Sequence, residues 1–397
     1  MANAFLTPTA VTREALRVLH QKLNFIGSIN RAYDASYAQT GAKIGSKLNI
    51  RLPNQFTVRT GSTRSNQDVS EGSVELKVET MKGIDFSYTS EEWTLSLDDF
   101  SDRILKPAMA QLAASIEADV LTNVTKDVYN IIDGDAAALA FNHIALGRQR
   151  LVEELAPDGD RYGLLSPAHT TKFVDAVKGL FHDSQAIKQQ YREGMIGRTS
   201  GFDFMESTFV SDFTTGTAAK TTGYLTNGAT QSGATITVDT GSTTFLAGDI
   251  ITFAGVFRVH PETKVSSGVL QQFVVTANSG ASATSLSISP AVVATGAKQN
   301  VSNTIADNSA IVKVGAGASE LLNSSLMYHK DAFTFATADL VLPKGTHMAS
   351  REVMDGISMR LVSDFEISDG SFPCRFDVLY GYKTIRPGHA VRLHADG

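Results

Sequence analysis

The chain has 397 residues, of which 42% are hydrophobic and 19% are charged, and its formal net charge is −6. This composition supports packed cores and excludes a wholly disordered chain, while the length exceeds the usual size of one domain. No block of consecutive basic residues is present, which argues against a protein that grips nucleic acid through its phosphates.

Cysteine content and the distribution of apolar residues indicate where the protein folds. Cys374 is the only cysteine, so an intramolecular disulfide and a multi-cysteine zinc site are both excluded. The N-terminal segment lacks the apolar core of a signal peptide, and no run of about 18 apolar residues is present to span a membrane. We therefore expect a soluble protein that folds in the cytosol.

The first predicted element is an amphipathic helix over residues 11–27. Leu16, Leu19, Leu23 and Ile26 fall on one face of this helix. Two interpretations remain open, because the helix either docks on its own domain or forms an arm that packs on a neighbouring chain.

Residues 45–90 alternate hydrophobic and polar side chains with a period of two, which predicts β-strands. The strands are separated by the polar stretch RTGSTRSNQDVSEG at positions 59–72, whereas most hairpin loops have about 2–5 residues. An isolated two-stranded ribbon is marginally stable in water, so we expect this hairpin to project and pack on another chain. A mobile surface hairpin is the alternative.

The strongest helical pattern covers residues 97–130. Ser96 and Asp99 resemble a capping box at its start. Pro107 lacks a backbone N–H and should kink or interrupt the first turns. A continuous helix of this length would act as a spine for the domain around it.

The remaining sequence predicts three regions of different character. Residues 136–182 have the pattern helix, strand, helix. Residues 216–318 carry few charges and contain short, regularly spaced strands with turn signals, which predict a small sandwich or barrel. Longer strands return over residues 321–397.

Motifs for metal binding are missing from these elements. Asp158-Gly159-Asp160 begins like an EF-hand loop, but Tyr162 and His169 occupy positions at which calcium requires oxygen ligands. We therefore assign both Asp-Gly-Asp stretches, 133–135 and 158–160, to turns. The nine histidines form no HExxH motif and no i,i+4 pair.

Motifs for nucleotide binding and nucleophilic catalysis are missing as well. Gly315-Ala316-Gly317 lacks the third glycine of a dinucleotide loop, and Ser200 in GRTSG does not match a nucleophile elbow. Cys374 lies in a strand pattern and is interpreted as a buried small hydrophobe. We predict no catalytic residue, no cofactor and no metal.

The order of elements and three stretches of sequence carry a family resemblance. The stretches are GMIGRTSGFDFMESTFV (194–210), AGDIITFAGVFRVHPETK with LQQFVV (247–275), and the C-terminal strands from LMYHKDAFTFATADLVLP to RFDVLYGYKTIRPGHAVRL (326–393). The chain resembles the major capsid (coat) protein of tailed bacteriophages with the Hong Kong 97-type fold. Within that group it is similar to short-tailed-phage coat proteins that carry an inserted telokin-like domain.

This resemblance covers essentially the whole chain and implies an α+β capsid fold with an inserted all-β, immunoglobulin-like domain. It implies the following division: N-terminal arm 1–44, E-loop and start of the peripheral domain 45–95, spine helix 96–132, axial domain 133–215, inserted β-domain 216–318, and C-terminal axial and peripheral strands 319–397. If the insert is a true domain, Phe213 and Leu321 lie close together. The flanking stretches Thr214-Thr215-Gly216 and Gly315-Ala316-Gly317 are then expected to be hinge-like. Its core should consist of Ile236, Val238, Ile251, Phe253, Phe273, Val275, Leu286, Ile288, Ile311 and Val314.

The resemblance also implies a function. The chain would be a non-enzymatic subunit that assembles as hexamers and pentamers, first into a procapsid and then into the virion capsid, inside the bacterial host cytoplasm. The shell would enclose double-stranded DNA without sequence-specific binding, and no membrane would be involved. An encapsulin-like cellular nanocompartment and a soluble enzyme with an unrecognised site are the alternatives.

Two departures from the family pattern refine this expectation. The E-loop tip at 59–72 contains no lysine, so we expect a shell without covalent crosslinks. The chain has no long N-terminal extension before the arm, so we expect a separate scaffolding protein, together with a portal protein. Contacts between subunits are expected at Arg59, Arg64, Asp68 and Glu71 in the E-loop tip, and at His260, Glu262 and Lys264 in the exposed loop 259–268 of the insert.

Overall fold

The computed structural model describes residues 8–31, 47–59, 61–64, 66–67, 71–89, 101–177, 197–210, 212–315, 317–368 and 370–396. Its α-helices are α1 Pro8–Lys22, α2 Phe25–Ser28, α3 Lys106–Lys126, α4 Phe141–Glu153 and α5 Pro167–Val177. Its first strands are β1 Lys47–Arg51, β2 Ser73–Lys77, β3 Thr80–Thr89, β4 Ile131–Ala138, β5 Arg161–Leu165, β6 Arg198–Thr199, β7 Phe202–Glu206 and β8 Phe213–Thr214. The strands of the next region are β9 Thr221–Thr226, β10 Gly233–Asp239, β11 Ile250–Val259, β12 Ser266–Val275, β13 Ser285–Val292 and β14 Ala310–Lys313. The last strands are β15 Leu321–Leu322, β16 Ser324–His329, β17 Phe333–Ala338, β18 Met348–Met354, β19 Ile357–Ser363, β20 Ser371–Thr384 and β21 Ala390–Asp396.

The described residues divide into two compact units, and each unit draws on separated stretches of sequence. The first unit comes from the ranges 1–50, 73–121 and 333–385. The second unit comes from the ranges 51–72, 122–332 and 386–397.

A five-stranded sheet organises the first unit. The long strand β20 pairs antiparallel with β3, β17 and β19, and β18 extends the sheet from β19. The middle of β20 is buried on both faces, because Phe376, Val378 and Tyr380 lie in the core and Asp377 and Leu379 between them are buried as well. Cys374 on the same strand is buried, and burial raises the pKa of its thiol to about 12, so it is a core residue as predicted.

The N-terminal helices dock on this same unit. Helix α1 packs on β18 and β19. The carboxylate of Glu117 accepts hydrogen bonds from the backbone N–H groups of Asn24 and Phe25, at 3.0 and 2.8 Å. Arg31 reaches the β18–β19 turn, where it donates to the carboxylate of Asp355 at 3.0 Å. Residues 8–31 therefore dock on their own chain, which decides between the two interpretations for this part of the sequence.

The predicted spine helix is shorter than the sequence indicated. A π-helical turn, Ser101–Leu105, runs directly into α3, and Pro107 is the second residue of α3, so the interruption predicted near Pro107 takes the form of this π-helical turn. The predicted helix end at residue 132 is wrong, because β4 begins at Ile131 and pairs parallel with β21. The turn expected at 133–135 is wrong for the same reason. Ser96 and Asp99 lie outside the described residues.

A six-stranded mixed sheet forms one half of the second unit, with the strand order β4-β21-β16-β5-β7-β6. Helix α4 packs against β4 and β21. The core between helices and sheet includes Ile144, Phe173, Phe202 and Leu393. The chain bends at 158–160 as predicted, and Gly159 there has a φ of +95°.

A closed barrel forms the other half of the second unit, with the strand order β10-β13-β12-β11-β14-β9. Every predicted core residue of this region except Val314 lies in one buried cluster inside the barrel. The predicted immunoglobulin-like arrangement is wrong, because the strands pair antiparallel around a complete circuit instead of forming two facing sheets. Closure leaves no free strand edge.

Candidate functional site

The chain enters and leaves the barrel through a two-stranded neck. Strand β8 pairs antiparallel with β15, so that Phe213 faces Leu322 and Thr214 faces Leu321. The N–H of Thr215 continues the pairing by donating to the carbonyl of Glu320 at 2.9 Å. The prediction that Phe213 and Leu321 lie close together is confirmed.

Lys313 ties the two sides of the neck together. Its side chain is fully buried, and its ammonium donates to the hydroxyl of Thr215 at 2.8 Å and to the carbonyl of Gly317 at 3.0 Å. Burial lowers the pKa of Lys313, while the charges of Asp249 and Glu320 oppose this change. The lysine is therefore a structural cation whose partners are fixed by the fold.

Asp249, the residue before β11, holds the segment that enters the barrel. Its carboxylate accepts from the N–H of Gly216 at 3.1 Å and from the N–H of Leu246 at 2.8 Å. A Cβ on Gly216 would lie 2.3 Å from the carbonyl oxygen of Thr244, so only glycine fits at this position. The expected hinge is wrong for Thr215 and Gly216, since both are buried and hydrogen-bonded.

A second connection joins the barrel to the six-stranded sheet within the same unit. The amide of Gln272 accepts from the N–H of Ile131 and donates to its carbonyl, at 3.0 Å each. Beside this pair lies an apolar cluster that consists of Tyr129, Ile131, Ile250 and Val274, with Val314 packed against it. The side chain of Val314 therefore packs in this cluster and not in the barrel core, where it was predicted.

Charged groups surround that contact. The buried Arg258 on β11 hydrogen-bonds the carboxylate of Glu153 at the end of α4, and its other terminal nitrogen lies 3.7 Å from the carboxylate of Glu154. Burial raises the pKa of Glu154 to about 7 and lowers the pKa of Arg258 to about 10. Burial also raises the pKa of Tyr129 well above its usual range, and its hydroxyl bonds Glu154.

Two histidines lie near the same contact. The rings of His329 and His389 meet edge to face with centroids 6.0 Å apart. Burial lowers the pKa of His389 to about 4, and it also lowers the pKa of His329. Both rings are therefore neutral at physiological pH. The part of the chain that the structure describes contains no group of three His, Cys, Asp or Glu that could hold a metal ion.

The long connection between β1 and β2, residues 52–72, is called the ribbon here, and its residues 60, 65 and 68–70 lie outside the described residues. Its base is closed by a hydrogen bond from the N–H of Leu52 to the carbonyl of Gly72 at 2.8 Å. Further out, the amide of Gln67 accepts from the N–H of Thr57 at 2.8 Å and donates to its carbonyl at 2.5 Å. Two large apolar side chains of this ribbon, Phe56 and Val58, are 59% and 96% exposed.

Among the four predicted contact residues of the ribbon, three lie within the described ranges. Arg59 donates to the carbonyl of Gly61. Arg64 donates to Asn66 at 2.7 Å, and Glu71 pairs with Arg51 at 3.0 Å. Asp68 lies outside the described residues. The side chains of Arg59, Arg64 and Glu71 are exposed, with local partners only.

The predicted loop of the barrel turns between β11 and β12. The Nδ1 atom of His260 accepts from the backbone N–H groups of Glu262 and Thr263 at 3.2 Å each, which places the proton of the neutral ring on Nε2. Lys264 donates to the carbonyl of Gln299 at 3.2 Å. Val265 beyond the turn is 65% exposed. No hydrogen bond or ion pair between described residues joins this loop to the ribbon.

Sequence reasoning missed the groups that fix the barrel in place. They are Gln272, Tyr129, Glu154, Arg258 and Lys313. A signal for two of them was present, because Arg258 and Lys313 are isolated charges in strands of a segment with few charges. A charge in such a strand is either solvated on the outer face or paired inside.

The exposed apolar side chains of the ribbon are typical of a surface that contacts another protein chain. The model of the P22 coat protein family, described as P22 coat protein, gene protein 5, matches residues 7–394. The chain therefore belongs to the P22 coat protein family. It is a tailed-phage major capsid protein of the Hong Kong 97-type fold, a non-enzymatic subunit that self-assembles into the icosahedral shell of the virion.

The search of solved structures found chains that are similar at low sequence identity. A chain of Mycobacterium phage Che8 is 12% identical, with 94% of this chain and 90% of that chain covered and a TM-score of 0.49. The mature capsid of bacteriophage PhiM1 is 11% identical, with 89% and 82% covered and a TM-score of 0.41. The CUS-3 coat protein I-domain is 27% identical, with 26% and 95% covered and a TM-score of 0.18. No curated protein matches the sequence.

The described helices include none that is long and apolar enough to cross a membrane.

Proposed function

We propose that the chain forms hexamers and pentamers that enclose double-stranded DNA, and that it assembles in the cytoplasm of a bacterial host with a separate scaffolding protein and a portal protein. The family match over residues 7–394 carries this proposal. A net charge of −6 without consecutive basic residues agrees with a shell that does not bind the sequence of its DNA.

The domain roles follow from the same proposal. The ribbon at 52–72 is the E-loop, α3 is the spine helix, the six-stranded sheet is the axial domain, and the five-stranded sheet is the peripheral domain. The barrel is the inserted domain. Its adjacent ends at β8 and β15 support this assignment, since an insertion into a continuous fold requires ends that meet.

Contacts between subunits are proposed at the E-loop and at the barrel loop. Arg59, Arg64 and Glu71 are exposed and make only local or ribbon contacts, so a neighbouring chain can bind them without breaking the subunit. In the barrel loop, Glu262 is exposed, and the adjacent Val265 offers apolar surface. Because the E-loop tip contains no lysine, the shell is held together without covalent links.

Coexpression tests the partner requirement. The chain is expressed alone and together with the gene products encoded beside it, and particles are separated by sedimentation. Uniform shells are expected only when a scaffolding protein is present, and denaturing gels of DNA-filled particles should show a single band near 42.5 kDa. Uniform shells from the chain alone would contradict the scaffolding requirement, and a ladder of multiples would contradict the noncovalent shell.

A further inference from the structure

An open cleft of about 470 Å³ lies beside the neck, entirely within the second unit. Its wall is formed by the last turn of α3, the neck strand β8, two loops of the barrel and the last strand β21. Two cationic side chains, Lys126 and Arg392, take part in this wall. None of the shell contacts proposed above involves the cleft.

Arg392 is an incompletely satisfied buried cation. Arg392 is only 1% exposed, and one terminal nitrogen of its guanidinium donates to the carbonyl of Gly248 at 2.8 Å. Its Nε atom has no hydrogen-bond partner among the described residues. A guanidinium carries five N–H donors, and a buried donor without an acceptor is strongly unfavourable.

The nearby carboxylates do not satisfy this guanidinium. Asp249 and Asp127 attract Arg392 electrostatically and oppose the lowering of its pKa that burial causes. Asp249, however, directs its oxygens to the N–H groups of Gly216 and Leu246. Nε of Arg392 is therefore a buried donor that no acceptor among the described residues satisfies, in a residue that lines the cleft.

The second cation is held close to the first. Gly248 has a φ of +106°, and a Cβ built there would lie 3.2 Å from Cγ of Lys126 and 3.0 Å from the ring of Phe213. The same ring lies 6.0 Å from Cζ of Arg392. Lys126 is half-buried, and its ammonium has no hydrogen bond or ion pair with any described residue.

A neutral donor completes the wall. Asn278 accepts from the N–H of Ala247 through Oδ1 at 2.8 Å, which leaves its NH₂ group to donate. The one acidic residue that lines the cleft within the described ranges is Asp212, and it is exposed. Among the residues that line the cleft, two cations and one amide donor thus stand beside one carboxylate, while Asp249 and Asp127 act on Arg392 from outside the lining.

We propose that this cleft binds a small free oxyanion of the phosphate or sulfate class between Arg392 and Lys126. The guanidinium offers directed N–H donors, which suit a tetrahedral oxyanion, and the ammonium adds a point charge. A bound anion would contact the end of α3, the barrel and β21 together. It would therefore stabilise the neck without forming part of the subunit interface.

Calorimetric titration of unassembled full-length subunits with inorganic phosphate tests the site, at constant ionic strength set with chloride. Saturable binding is expected, with a melting temperature higher by about 2–4 °C at ten times the measured Kd. Lys126→Gln removes a half-buried cation without opening a core, and it should weaken binding about tenfold. Lys220→Gln removes an exposed lysine of the barrel as the matched control and should leave binding unchanged.

Other results would overturn the proposal. Equal responses of the wild type, Lys126→Gln and Lys220→Gln would show a general salt effect, and no saturable binding would show that water satisfies Arg392. A parallel titration with a short single-stranded oligonucleotide separates the two sources of phosphate. Binding of the oligonucleotide but not of the free ion would contradict a small-ion site.

Discussion

The side chain of Gln272 bonds both backbone groups of Ile131, with the N–H donating to its Oε1 and the carbonyl accepting from its Nε2 at 3.0 Å each. The amide of one barrel residue thus gives Ile131, the first residue of β4, the two backbone hydrogen bonds that a neighbouring strand would otherwise make. The bond fixes the barrel to the sheet at a point where β4 also pairs with β21.

Gln272→Ala should lower the free energy of unfolding of the second unit by about 1–3 kcal/mol, because it leaves a buried backbone N–H and carbonyl without partners. Urea unfolding of unassembled subunits measures the change. Gln21→Ala, on the exposed face of α1, is the matched control and should change stability by about 0.5 kcal/mol or less. Equal effects of the two substitutions would show that the Gln272 contact does not hold the barrel.

Glu154 gives stability a defined pH dependence. Burial raises the pKa of Glu154 from its usual 4.5 to about 7, so the folded state binds a proton that the unfolded state releases between these values. The ionised Glu154 carboxylate lowers the free energy of unfolding, because its charge is buried. This loss of stability is absent below pH 4.5, grows as the pH rises, and is complete above a pH of about 7. At pH 8 this cost is on the order of 3 kcal/mol.

Glu154→Gln should therefore stabilise the subunit at pH 8 relative to its effect at pH 4.5, by about 3 kcal/mol. Urea unfolding at the two pH values, with exposed Glu262→Gln as the control, measures this difference. Burial lowers the pKa of His389 to about 4, so this residue makes the folded state less stable as the pH falls. Because both proteins contain His389, its effect cancels in the comparison. An effect of Glu154→Gln that is the same at both pH values would refute the assignment.

The charges of the E-loop tip should contribute to shell stability. Replacing Arg59, Arg64, Asp68 and Glu71 together by neutral amides should lower the yield of shells and make them dissociate at a lower salt concentration. Each exposed pair contributes only about 0–1 kcal/mol, but a shell repeats the contact many times. Sedimentation of particles over a salt series measures the effect. Shells of unchanged yield and salt resistance would remove these residues from the interface.

The barrel should fold alone when the neck is included. A fragment of residues 213–322 keeps the pairing of β8 with β15 and the bonds from Lys313 to Thr215. It should give dispersed amide NMR signals and a cooperative melt, since about 110 residues bury enough surface for a stable core. A fragment of residues 216–318 loses Thr215 and should melt at a lower temperature. An unfolded 213–322 fragment would mean that the barrel depends on the rest of the unit.

Local patterns predicted the barrel strands and most of its core, because alternation along a half-buried strand depends only on neighbouring residues. The same alternation is shared by a sandwich and a barrel, so closure between β9 and β14 was not predictable. Strand β4 was missed because its partner, β21, is at the far end of the chain. The pairing of β4 with β21 overrides the local helix propensity near residue 131.

The connection between barrel and sheet shows the same limit. Arg258 and Glu154 are far apart in sequence, and the burial that shifts their pKa values exists only after the barrel has docked. The sequence places Arg258 in a segment with few charges but does not show which groups it faces. By contrast, the exposed ribbon at 52–72 was predictable, since a polar stretch of that length has no core of its own to join.

Electron microscopy of the full-length protein, purified after coexpression with its neighbouring gene products, tests most directly that this chain is a shell subunit. The family match over residues 7–394 predicts closed icosahedral particles. The proposed assembly further predicts that they are built from hexamers and pentamers, with the ribbon of one subunit lying on another. Monodisperse monomers that form no closed particles under any of these conditions would contradict the account.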